Sequence, residues 1–171
     1  RHNRKLRLRL KKAHLRHNAV LEDIDYRHPR GLDKSMILGL ASCRWVGEHH
    51  NVLITGPTGV GKSFLACALA HTACREGYRA LYYRMPRLLQ ELAVARVDGR
   101  YGKILFQLLK QVILVIDDLG LAPLDDHGRR DLLEILEDRH DRRSTIVSSQ
   151  LPVQAWHEMI GDRTLADAIL D

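Results

Sequence analysis

Asn51-Val52-Leu53-Ile54-Thr55-Gly56-Pro57-Thr58-Gly59-Val60-Gly61-Lys62-Ser63 is a short apolar run that breaks into a glycine-rich turn and then a helix-like segment. The turn has the spacing G-x-x-x-x-G-K-[ST]. Glycines at those positions let the backbone curl round an anion with its N–H groups pointing inward. A lysine at the helix start reaches β- and γ-phosphates, the following hydroxyl suits Mg²⁺, and the helix adds its positive end. The strand–loop–helix context therefore predicts a nucleoside triphosphate site. Its contacts are Gly56, Pro57, Thr58, Gly59, Val60, Gly61, Lys62, Ser63 and Phe64.

Outward from this stretch the chain reads as alternating strands and helices. A basic helix to about His17 is followed by an extended segment, Val20 to Pro29, and an amphipathic helix over Leu32–Val46. Strands are expected at Val52–Thr55, Arg79–Arg84, Val112–Asp118 and Thr145–Ser149. Helices are expected at Ser63–Arg75, Pro86–Val97 and Tyr101–Lys110, then between Pro123 and Arg142, with two short ones after Pro152. The run Val112-Ile113-Leu114-Val115-Ile116 has no polar alternation, the pattern of a strand buried on both faces. Together these predict an α/β fold, a parallel sheet between two helical layers.

In such sheets ligands sit at the carboxyl ends of the strands. Asp117-Asp118 closes the buried apolar run and reads as a Walker B motif, with Asp117 holding Mg²⁺ through water and Asp118 acting on the attacking water. Ser148-Ser149-Gln150 closes the fourth strand. Gln150 is the residue chosen there, because an amide can meet both a phosphate oxygen and a water proton. The catalytic set expected is thus Asp118, Lys62 and Gln150, and the metal set Ser63 and Asp117.

The 171 residues suit one domain, and 45% hydrophobic with 28% charged residues is ordinary for a soluble chain. No stretch approaches membrane-spanning length, and a cytoplasmic location is expected. Cys43, Cys67 and Cys74 are read as small buried hydrophobes rather than a disulfide framework. The scattered histidines predict no structural zinc. Charge is concentrated at the start: residues 1–16 hold eight Lys and Arg and no acid, +8 against +6 for the whole chain. Arg4, Lys5, Arg7, Arg9, Lys11 and Lys12 are therefore candidate DNA-backbone contacts. The competing reading is a helix whose Leu6, Leu10 and Ala13 dock on the core. Residues 1–30 are assigned to this arm and a linker, and residues 31–171 to the nucleotide-binding core. Arg1 in place of Met, and an end at Asp171 within a helix-like pattern, read as a piece of a longer protein.

These motifs resemble those of the AAA+ ATPases, and within them the IstB-like transposition helpers related to DnaC-type helicase loaders. The resemblance is carried by the basic start, Leu21-Glu22-Asp23-Ile24-Asp25-Tyr26, Gly56–Ser63 and Val115-Ile116-Asp117-Asp118-Leu119-Gly120. Ser144–Pro152, Trp156 and Thr164–Asp171 complete it. It implies a P-loop core that stops before a fifth strand and helical lid, with ATP and Mg²⁺ as cofactors and Leu21–Tyr26 bordering the adenine. It also implies ATP-dependent homo-oligomers on duplex DNA that recruit or activate an insertion-sequence transposase. A helicase loader is the nearest alternative, and a DNA-binding scaffold with little hydrolysis a more distant one, since Asp118 stands where such enzymes often have Glu. The arginine finger and second sensor fall beyond Asp171, and Arg139, Arg142 and Arg143 are read as a solvated helix end or as facing a neighbouring subunit.

Overall fold

A computed structural model describes residues 1–27 and 32–160. Thr164–Asp171, the last block of the resemblance, lies outside them, as does the boundary near residue 30. The elements run α1 (His2–Ala13), α2 (Lys34–Ala41), α3 (Arg44–Gly47), β1 (Val52–Thr55), α4 (Lys62–Arg75) and β2 (Ala80–Arg84). They continue with α5 (Met85–Asp98), α6 (Tyr101–Lys110), β3 (Ile113–Leu119), α7 (Asp126–Arg139), β4 (Ser144–Ser149) and α8 (Trp156–Ile160).

The four strands form one parallel sheet in the order β1-β4-β3-β2. The expected double burial of β3 is complete, with Ile113, Leu114, Val115 and Ile116 all fully buried. Side chains alternate along a strand, so Ile113 and Val115 join one core with α4, while Leu114 and Ile116 join a second with α5, α6 and α7. That alternation is what makes three layers. The thiols of Cys43, Cys67 and Cys74 are free and buried, and burial raises the pKa of each.

Three expectations are corrected. The first helix ends at Ala13, because His14 takes a left-handed conformation (φ 55°) that closes it four residues before His17. The segment 32–46 is two helices, broken where Cys43 also turns left-handed (φ 60°). Arg139 is neither solvated nor turned to a neighbour. It is 1% exposed and donates to the carbonyls of Leu108 (2.9 Å), Gln111 (2.7 Å) and Ser144 (2.7 Å) and to Thr145 Oγ1 (3.0 Å). It thus fills the acceptors where α6, α7 and β4 converge, and burial lowers its pKa.

Of the two readings of residues 1–16, the apolar stripe of α1 docks. Ala13 is fully buried, Leu6 and Leu10 pack on the α4 side of the core, and Arg9 Nε donates to Cys74 O at 2.9 Å. No described helix is long and apolar enough to cross a membrane.

Candidate functional site

The loop after β1 folds as its glycines require. Gly59 (φ 87°) and Gly61 (φ 95°) occupy the left-handed region that side chains avoid, and α4 starts at Lys62. Lys62 is 8% exposed, and its ammonium donates to the Gly56 and Pro57 carbonyls at 2.6 and 2.8 Å. It therefore stands across the concave side of the loop, the position from which a lysine meets phosphates.

Asp117 is fully buried one residue beyond the apolar run of β3. Three hydroxyls converge on its carboxylate. Ser63 Oγ donates to Oδ2 at 2.6 Å, Tyr82 OH donates to Oδ2 at 2.5 Å, and Ser148 Oγ donates to Oδ1. Burial by itself would raise this carboxyl. The bonds from Ser148, Ser63 and Tyr82 and the charge of Arg16 outweigh it, so its pKa lies below the usual aspartate value. The Tyr82 phenol moves the opposite way, raised by burial and by the carboxylate beside it. An ionised, pre-aimed carboxylate next to a serine hydroxyl is an oxygen donor pair of the hard kind that Mg²⁺ takes.

The β3–β4 register slips between Ile116 and Leu119, and in that slip Asp118 turns left-handed (φ 61°). Bulges of this sort re-aim a side chain at a strand end. Here the carboxylate of Asp118 swings away from the sheet and pairs with Arg84 at 2.9 Å and Arg16 at 3.8 Å. Gly120 (φ 81°) follows in a tight place, where a Cβ would come within 2.7 Å of Leu151 Cδ1.

One cavity of about 450 Å³ gathers Thr58, Gly59, Gly61, Lys62, Ser63, Phe64, Asp118 and Gln150, with Arg16, His17, Arg84 and Leu121. Residues from three separate strand ends thus share one space, although Gly56, Pro57, Val60 and Asp117 of the expected set do not line it. Beside it, Ile24, Leu32, Ile54, Val60 and Phe64 line an apolar recess next to the loop. From the stretch Leu21–Tyr26, only Ile24 lines it, while Leu21 is buried in the core.

Four site residues were not expected. At the tip of β4 the Ser148 hydroxyl donates to Asp117 and accepts from the Asp118 N–H at 3.0 Å, while Gln150, the residue chosen there, lines the cavity. The available signal was the pair of serines, Ser148-Ser149, that closes an apolar strand. Tyr82, Arg84 and Arg16 carried no sequence signal, because their place depends on β2 pairing with β3 and on α1 lying over β2.

Ser148→Ala is expected to destabilise the fold by about 1–3 kcal/mol, the cost of stranding a buried partner. A depressed carboxyl stabilises the fold fully above the unfolded aspartate value of about 4, and the contribution is lost as pH falls through the folded value. The variant should therefore lose less stability on acidification than the parent. Urea unfolding at neutral and acid pH reads both, and parallel curves would exclude the hydroxyl as the source of the shift.

The chain matches the family model described as IstB-like ATP binding protein over residues 1–171. It is 57% identical to the insertion sequence ATP-binding protein y4pL of Sinorhizobium fredii (strain NBRC 101917 / NGR234), over all of this chain and 70% of that protein. Identity to the insertion sequence IS21 ATP-binding protein of Pseudomonas aeruginosa is 35%, over all of this chain and 64% of that one. Among solved structures it is similar to the DnaC helicase loader (TM-score 0.74, 24% identity, covering 90% of this chain and 92% of that one). It is also similar to AMPPCP-bound DnaA from Aquifex aeolicus (TM-score 0.77, 17% identity, covering 91% and 48%). These likenesses match the parallel sheet and helical layers to the P-loop AAA+ fold. With its phosphate loop, buried aspartate and sheet order, the chain belongs to the family of IstB-like ATP binding proteins.

Proposed function

We propose that the protein binds and hydrolyses ATP to control its assembly on duplex DNA, and that in this state it recruits or activates an insertion-sequence transposase. The observation that carries this reading is the convergence of Lys62, Ser63, Asp118 and Gln150 on one cavity, with Asp117 fixed behind Ser63. Gly59 and Gly61 present loop N–H groups to an anion, and Lys62 adds a positive charge at the same wall. Ser63 and Asp117 would hold Mg²⁺, which supplies charge neutralisation on the phosphates. Gln150 orients the attacking water from the tip of β4, and Asp118 draws its proton. Arg84 and Arg16 hold the Asp118 carboxylate, so its oxygens are occupied by the arginines rather than free to meet a water. Turnover therefore rises when that pairing loosens, which makes slow basal hydrolysis, stimulated by DNA or a partner, the expected behaviour. Ile24 and Phe64 border the apolar recess suited to the adenine.

The transposase reading draws on relatives described as insertion sequence ATP-binding proteins. The same Arg84–Asp118 pair favours the second reading, a nucleotide-dependent scaffold with little hydrolysis. Phosphate release from Mg-ATP, measured alone, with duplex DNA, and with DNA plus the transposase encoded beside it, separates the two. Release that rises with DNA or transposase supports the first. No release above background in any arm replaces it with the scaffold.

A further inference from the structure

A groove lined by five cations lies away from the nucleotide cavity. At the amino-terminal edge of the sheet, α1, the start of β2 and the end of α6 enclose a groove of about 450 Å³. Lys5, Arg9, Lys12, Arg79 and Lys110 line it, and no acidic side chain does. Among the described residues none of these five cations forms an ion pair. Five unopposed positive charges round one concavity repel one another, a cost that an entering polyanion relieves.

The groove divides the basic segment that the sequence presents as one patch. Lys5, Arg9 and Lys12 recur at helical spacing and line it, Arg9 half-buried and both lysines exposed, whereas the exposed Arg4, Arg7 and Lys11 do not. Arg9 spends its Nε on Cys74 O, fixing α1 against the core so that the helix forms a rigid wall. Arg79 and Lys110 supply the opposite wall from the core itself. Beside them Phe106 is 66% exposed, with the Lys110 ammonium 5.8 Å from its ring centre. A strand rises about 3.3 Å per residue, so the five residues of β2 set this groove roughly 15 Å from the nucleotide end of the sheet. Its ligand is therefore not the triphosphate tail.

We propose that this groove seats the phosphate backbone of duplex DNA, gripped between Lys5 and Lys12 on α1 and Arg79 and Lys110 on the core, while Arg4, Arg7 and Lys11 contribute only a general field. This rests on the reading that the protein works on DNA. Backbone contacts position a duplex without reading its sequence, so affinity here depends on salt and hardly on base order.

The test compares Lys5→Ala/Arg79→Ala/Lys110→Ala with Arg4→Ala/Arg7→Ala/Lys11→Ala, using fluorescence anisotropy of a labelled duplex between 50 and 200 mM salt, where each lost phosphate contact lowers the salt slope by about 0.9. The groove variant is expected to bind roughly 10- to 100-fold more weakly, with a slope reduced by about 2–3. The outward variant should change affinity by about threefold or less. Arg79→Lys/Lys110→Arg, which keeps both charges, should bind as the parent does. Mg-ATP uptake by calorimetry and thermal melting, both unchanged in all variants, show that the fold and nucleotide site are intact. Parent protein that takes up ATP but binds no duplex overturns the DNA reading and the groove together. Duplex binding that survives the groove variant at full strength, or falls equally in the outward variant, overturns the groove alone.

Discussion

Lys62→Ala is expected to weaken ATP binding by roughly 100-fold or more and to abolish ATP-dependent assembly on DNA with it. Charge-assisted hydrogen bonds contribute about 1.5–3 kcal/mol each, and one ammonium serving β- and γ-oxygens makes two. At 1.4 kcal/mol per tenfold, two such bonds correspond to about 10²–10⁴ in affinity. The fold itself should survive, because the two carbonyls that Lys62 contacts belong to the exposed loop at Gly56 and Pro57. A protein that binds nucleotide gains about 2.7 kcal/mol of apparent stability at a hundred times its Kd. The variant should lose that thermal shift with Mg-ATP while keeping the parent's unliganded melting temperature. Coupling of assembly to nucleotide requires ATP to bind the assembled form more tightly than the free one. Filaments or rings forming on DNA undiminished in this variant, as seen by sedimentation or negative-stain imaging, would sink the coupling.

The other large effect belongs to a residue far from any phosphate. Arg139→Ala should cost about 3 kcal/mol or more, since each buried acceptor left without its donor costs about 1–3 kcal/mol, against a total stability of about 5–15 kcal/mol for a domain. The carbonyls of Leu108, Gln111 and Ser144 would all lose their donor. Arg139→Lys should recover only part of this, since one ammonium lacks the planar fork that reaches α6 and β4 together. Arg142→Ala and Arg143→Ala, exposed three and four residues on in the turn before β4, should stay within about 0.5 kcal/mol. Urea unfolding measures the series. If all three alanine variants matched the parent, the arginine would not be what ties the edge of the sheet to α6 and α7.

The comparison of Arg139 with Lys62 shows where reading residues in order succeeds and where it stops. Both are single basic residues near a helix end. Lys62 is legible because a phosphate loop is local: strand, turn and helix are consecutive, and the glycines that must adopt positive φ announce themselves. Arg139 is not, because the acceptors that define its role come from α6 and β4. The same distinction runs through the rest of the site. Asp117 was legible from the unbroken apolar run before it. Its partners Tyr82 and Ser148 were not, because they arrive from β2 and β4, the strands flanking β3.

The amino-acid order by itself determined the α/β class, the parallel sheet, the glycine-rich loop, the buried aspartate that follows the apolar run of β3 and the concentration of positive charge in residues 1–16. These are short-range properties, set by backbone freedom at glycine, by hydrophobic periodicity and by unopposed charge. Tertiary structure alone decided that β4 lies between β1 and β3, and that Ser148 bonds the buried carboxylate. It also decided that Asp118 meets Arg84 and Arg16, and that three of the eight cations in residues 1–16, Lys5, Arg9 and Lys12, line one groove with Arg79 and Lys110. Each of these depends on which strands and helices become neighbours, and that choice is made by packing two apolar faces of one sheet at once, a condition no local stretch of sequence encodes.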